Sequence, residues 1–476
     1  VLRSHLQPLR GLACSLALGS ALLIAAPRTA EAHAGAAGFI LLLPTELYIL
    51  GGAAAVLISF LVLALFHRAG TPAPEASLPE RRLPQGFVIA ASLFTLLFLV
   101  LLVTAGWGGS PDPIANPLPP TVWTLWWAGF TLVVALLGDF WCFANPWIGL
   151  ALLGPARPLF AYPERLGFWP AMLQFLGFAW FELVYPTPQD PARLAVAVAL
   201  YWLGNAIAVI LFGPRWLERG EALSVFFAMV GRLGTRSWRL VTTPGAGAAI
   251  MTSLGPPARR LREVFDDVSG ALFVLVTLAA VSFDGLSRTF FWVGWLGLNP
   301  LEYPGRSAVI AENTLGLLLS VVALGGLFAL AIALGRRLSG TPTSLRALLC
   351  RFVLSVVPIS IAYHIAHYFQ SLIVDFPTAI LALADPFALG WQLLPNVGLQ
   401  HGTTMGLGPD GVIAAYRAQT AIIVAGHILA TLAAHRIALA ETADRRQAVL
   451  LGIPLAVLMV FYTLFGLWLL STPEIG

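Results

Sequence analysis

Two histidines three residues apart, in Tyr363-His364-Ile365-Ala366-His367-Tyr368, form the sharpest chemical pattern in this sequence. At that spacing two imidazoles share one helix face and could hold a single metal ion together. Carboxylates from neighbouring helices could complete the shell or orient the rings. A pair of histidines hydrogen-bonded within a bundle is the plainer alternative. His33 is a second candidate ligand. If the chain is cut after Ala30-Glu31-Ala32, His33 becomes N-terminal and offers an α-amino and a ring nitrogen, a chelating pair suited to copper or zinc.

These side chains need elements to position them, and composition says which kind. The chain has 476 residues, 58% of them hydrophobic and only 11% charged, against about 25% charged in soluble domains. So few charges cannot cover a water-facing surface, so a lipid bilayer is the expected partner. Apolar stretches long enough to cross it recur over 43–66, 86–107, 121–143, 167–186, 192–213, 265–285, 308–335, 346–374, 413–439 and 447–471. Open strands cannot cross lipid with unpaired backbone groups, so the spacing predicts an all-α, polytopic bundle of about ten transmembrane helices. Arg3 and Arg10 followed by the apolar run Leu12 to Ala26 predict a cleavable signal peptide over 1–32, leaving 33–476 as one transmembrane domain.

The net charge of +4 rests on Arg alone, since the chain has no lysine. Arg68, Arg81, Arg82, Arg157, Arg165, the Arg-rich segment 214–264, Arg336, Arg337, Arg346, Arg436, Arg445 and Arg446 fall in alternate loops; the opposite loops hold only Arg193, Arg288 and Arg306. That bias predicts a bacterial inner-membrane protein with both mature termini in the periplasm. No arginine cluster is interleaved with aromatics on a soluble face, so nucleic acid is not an expected partner. Three cysteines, Cys14, Cys142 and Cys350, are too few for a disulfide framework. Within 214–264, Glu221 to Leu233 reads as an amphipathic helix that could lie on the cytoplasmic membrane surface. In the periplasmic loop 375–412, Thr378 to Leu394 reads as a short re-entrant or interfacial helix broken at Asp385-Pro386.

Ionisable residues inside spans are costly and are functional candidates by default. Glu46, Glu182, Asp284, Glu302, Glu312, His364 and His367 gather just below the periplasmic surface, with Asp375, Asp385, His401 and Asp410 in or near the outer loop. His427 lies near mid-depth, and Asp139 falls at the cytoplasmic end of its span. A transporter would use such groups as ion or proton sites beside broken helices. A copper-handling or sensing protein would use His33 and the histidine pair without catalysis. No phosphate-binding loop, nucleophile elbow or dinucleotide fingerprint is present in a fitting context.

The set His33-Ala34, Leu43-Pro44-Thr45-Glu46-Leu47-Tyr48, Ser282-Phe283-Asp284-Gly285-Leu286, Tyr363 to Tyr368, Asp385-Pro386 and Gly426-His427 resembles the bacterial membrane proteins known as fenitrothion hydrolases. The resemblance implies hydrolysis of an organophosphorus triester, a small apolar substrate, with release of a phenol. It casts Asp284 and Glu182 as catalytic groups and His364, His367, His33 and His427 as ligands of a divalent metal, zinc or copper. Such an ion would polarise the phosphoryl group and lower the pKa of bound water.

Overall fold

The computed structural model describes residues 45–66, 80–154, 158–243, 247–262, 265, 267–391, 393–394 and 409–475. The expected signal peptide, His33 and His401 lie outside the described residues. The principal elements are α1 (Thr45–Phe66), β1 (Arg81–Arg82), α2 (Gln85–Gly108), α3 (Leu118–Leu137), α4 (Trp169–Leu183), α5 (Pro191–Phe212), α6 (Ala222–Val230), β2 (Arg236–Thr243), β3 (Gly247–Leu254), α7 (Val268–Ser287), α8 (Ile310–Ser339), α9 (Val357–Ala384), α10 (Pro409–Glu441) and α11 (Arg445–Ser471). Among the described residues nine helices are long and apolar enough to cross a membrane, so the chain is a multi-pass helical protein.

The bundle is built around α7. Its small residues, Ser269, Gly270, Ala271, Ala279, Ala280 and Gly285, let neighbours approach closely, and α4, α8, α9 and α11 all pack against it. It is buried on nearly every face. By contrast α1, α2, α5 and α8 turn leucines, valines and isoleucines outward, as helices bordering lipid do.

Four details depart from the sequence reading. The expected span at 167–186 is the helix α4, only 15 residues long. At 1.5 Å per residue it reaches about 22 Å, short of the hydrocarbon thickness. The amphipathic stretch at 221–233 does not lie on a surface: α6 is buried against α3, α4 and α9, with Glu221 accepting from the N–H groups of Leu223 (2.9 Å) and Ser224 (2.6 Å) as its N-cap. The same segment carries strands in an otherwise helical chain, because β2 and β3 pair antiparallel and β1 adds to the edge of β3. Finally, the helix expected to begin afresh near Thr378 is the continuation of α9, which runs through Pro377 to Ala384. Asp385 then closes a turn by accepting from the N–H groups of Leu389 (2.9 Å) and Gly390 (2.8 Å).

The third span is irregular in a way that matters. Residues Thr121–Phe130 form a π-helical segment between α-helical turns. The wider winding leaves backbone carbonyls available to side chains, and such segments concentrate at functional sites.

Candidate functional site

α4, α7 and α9 bring one group of polar side chains together at the end of the bundle where Arg288, Arg306 and the last residues of the chain lie. Asp284, on the last turn of α7, is almost fully buried and accepts from a histidine and an arginine. His367 Nε2 lies 2.7 Å from Oδ2, and Arg288 Nε donates to Oδ1 at 3.0 Å from one turn farther along. The phenol of Tyr368 then joins the two acids: it lies 2.5 Å from Glu182 Oε1 and 3.1 Å from Asp284 Oδ2.

A phenol owns one proton and can donate it to only one carboxylate. Both contacts are hydrogen bonds only when one of the two carboxyls brings a proton of its own. Glu182, Tyr368, Asp284 and His367 therefore form a continuous chain of donors and acceptors drawn from α4, α7 and α9.

Arg306 fixes one side of this chain. Its Nη1 donates to the carbonyl of Glu182 at 2.6 Å and reaches that of Tyr185 at 3.5 Å, capping the end of α4. Burial lowers the pKa of its guanidinium, with the like charge of Arg288 adding to the effect. Arg288 shifts the other way, because the carboxylate of Asp284 beside it stabilises its positive form.

His364 faces a different partner. Its Nε2 lies 2.9 Å from the carbonyl oxygen of Trp127, in the π-helical segment of α3. A carbonyl can only accept, so this ring carries its hydrogen on Nε2. The ring sits edge-on to Trp127 (centroids 4.6 Å apart) and packs on Tyr368 (4.8 Å). A narrow cavity opens between these groups, with Trp127, Phe175, Phe178 and Phe226 as its apolar wall and Glu182, Asp284, Thr277, Ser360, His364 and Tyr368 as its polar one. It has room for water-sized occupants.

The structure thus brings Glu182, Asp284, His364 and His367 to one site, with the Nε2 atoms of the two imidazoles turned to different partners. One Nε2 is committed to Trp127 and the other to Asp284. Among the described residues no three His, Cys, Asp or Glu side chains converge as a metal shell requires. His427 is elsewhere, fully buried on α10, with Nδ1 2.9 Å from the carbonyl of Ile423 and its ring beside Tyr363. It has no hydrogen bond or ion pair to the other four. Asp139 is buried at the turn after α3, where Oδ1 accepts from the N–H of Cys142 at 3.2 Å.

Tyr368, Arg288, Arg306 and Trp127 complete the site, and sequence reasoning gave them no role in it. Two of them left a signal. Arg288 follows Asp284 by four residues, the spacing of an intrahelical ion pair, and Tyr368 follows His364 by the same interval. Arg306 and the Trp127 carbonyl left none, because their contacts cross between distant segments. No protein family, curated protein or solved structure matches this chain.

Proposed function

We propose that this chain is a proton-coupled carrier of the bacterial inner membrane, with Glu182, Tyr368, Asp284 and His367 as its proton-binding chain. The observation that carries the reading is the Tyr368 hydroxyl set between two carboxyls on different helices. Adding or removing a proton there changes the bonds that hold α4 and α7 to α9, which is how protonation can bias a helix packing between two arrangements. The surroundings fit. The cavity is bordered by a short helix, a buried nine-residue helix and a π-helical stretch, and transporters build their sites at interrupted helices. The arginine bias of the loops would place the chain's accessible end in the periplasm.

Triester hydrolysis is a second reading. It rests on the family resemblance and on the acid–base groups beside a water-sized cavity. His367, oriented by Asp284, would take a proton from water as its oxygen bonds to phosphorus; the phosphorus–aryl oxygen bond would break, and Tyr368 or Glu182 would return a proton to the phenol. A zinc or copper version, whether catalytic or purely metal-handling, would have to use the Nδ1 atoms of His364 and His367, with the Trp127 carbonyl and Asp284 orienting the rings from their Nε2 side.

Proteoliposomes containing a pH-sensitive dye, given an inward proton gradient, separate these readings. Wild-type protein should acidify the lumen and Asp284→Asn should not. Release of phenol from an aryl triester with no proton movement would replace the carrier reading with the hydrolase.

A further inference from the structure

We infer that Glu474, on the segment following the last membrane helix, is the proton-collecting carboxylate of this chain of groups; the inference rests on the proton-coupled reading and extends it to the surface. Residues 472–475 do not trail away from the bundle. Phe290 N–H donates to the carbonyl of Pro473 at 3.0 Å and Ile475 N–H to that of Arg288 at 2.8 Å, setting Glu474 opposite Thr289 in an antiparallel bridge. The backbone therefore fixes Glu474 beside the residue that follows Arg288.

Accessibility rises stepwise outward from the buried acid. The side chain of Asp284 is 2% exposed, that of His367 19% and that of Arg288 40%, and Glu474 is exposed. Its surroundings are mixed in sign. His367 on α9 and Arg288 attract its carboxylate, Asp284 repels it, and partial burial leaves it holding a proton more readily than an ordinary glutamate. Arg306 adds positive charge beside Arg288.

The step balances without a further reactant. A proton from bulk water binds the Glu474 carboxylate and passes through intervening water to the ring nitrogen of His367 that does not face Asp284. The Nε2 proton of the resulting imidazolium moves to Asp284 Oδ2, and His367 returns to neutral. Glu474 is thus a relay residue outside the buried chain. A purely structural role, neutralising Arg288, would be served equally well by its position but not by its proton.

Infrared difference spectroscopy after a pH jump tests this on the full-length protein in lipid, following the carboxyl band that Asp284→Asn removes. Glu474→Gln should slow the rise of that band by about a hundredfold, the lower end of the range for loss of one proton-transfer group. Glu474→Asp should stay near wild type, and millimolar imidazole should restore the rate of Glu474→Gln. Equal rates in wild type and Glu474→Gln, or a slowed rate that imidazole does not restore, would overturn the inference while leaving the proton-coupled reading intact. A wild-type protein with no pH-sensitive carboxyl band would overturn both.

Discussion

Replacing Tyr368 with Phe removes one oxygen atom and keeps the ring that packs against His364 and His367. The oxygen makes two interhelical contacts, to Glu182 on α4 and Asp284 on α7. Interhelical hydrogen bonds within membranes average about 0.6 kcal/mol and reach about 1.7 kcal/mol, so the pair accounts for roughly 1–2 kcal/mol. The two acids are not left in the same state. Asp284 keeps His367 and Arg288, whereas Glu182 loses the one side-chain hydrogen bond its carboxyl makes among the described residues. A buried polar group without a partner costs about 1–3 kcal/mol, and a carboxyl that can stay protonated falls at the lower end. Tyr368→Phe should therefore destabilise the protein by about 2–3 kcal/mol. Reversible unfolding in mixed micelles by SDS titration measures this, with Glu182→Leu and the double variant closing a cycle. Because Glu182→Leu removes the same contact, the double variant should lose clearly less than the sum of the singles. A Tyr368→Phe protein within about 0.5 kcal/mol of wild type, with strictly additive effects, would refute the bridging argument.

Other consequences can be checked with the same protein. A Cβ on Gly466 would lie 1.5 Å from the hydroxyl of Tyr363, which is itself tied to the carbonyl of Tyr462 at 2.6 Å. Gly466→Ala should cost about 1–3 kcal/mol by SDS unfolding, and adding Tyr363→Phe should recover part of it. Exhaustive treatment with EDTA should leave proton uptake by proteoliposomes unchanged, since among the described residues no three His, Cys, Asp or Glu side chains come together; loss of uptake that zinc or copper restores would revive the metal centre. Partial burial raises the pKa of Glu474 above its ordinary value. A carboxyl raised by folding stabilises the folded state most below its unfolded pKa and loses that contribution as pH rises through its folded pKa. The unfolding midpoint should therefore fall as pH climbs past the ordinary glutamate value of about 4.3, and Glu474→Gln should flatten that slope.

The helical, multi-pass architecture was legible in the sequence because lipid imposes one demand on every span, and apolar length reports it directly. That test misjudged α4, where apolar residues on both sides of a 15-residue helix extend the hydropathy signal beyond the helix itself. It misplaced α6 for a different reason. A helix with a polar cap and an apolar body reads as amphipathic, yet Glu221 is fully buried and satisfied by its own helix N-terminus. The strands β2 and β3 carry Thr, Val, Ile and Trp at positions that suit a pleated surface, a signal easily passed over among apolar helices. At the site, sorting charged residues by depth brought Glu182, Asp284, His364 and His367 to one level. Depth says nothing of rotation, so it could not show that the two imidazoles point at different partners, nor that His427 lies with Tyr363 instead.

The π-helical stretch of α3 constrains how this chain can vary in length. A wide turn of this kind behaves as extra residues accommodated within a helix, and removing one residue between Thr121 and Phe130 would let the segment tighten to ordinary pitch. The carbonyls of the stretch would then be taken into the regular backbone ladder, carrying that of Trp127 away from His364 and its indole away from its packing partners. Single-residue deletions across this stretch should be tolerated far less well than conservative substitutions at the same positions.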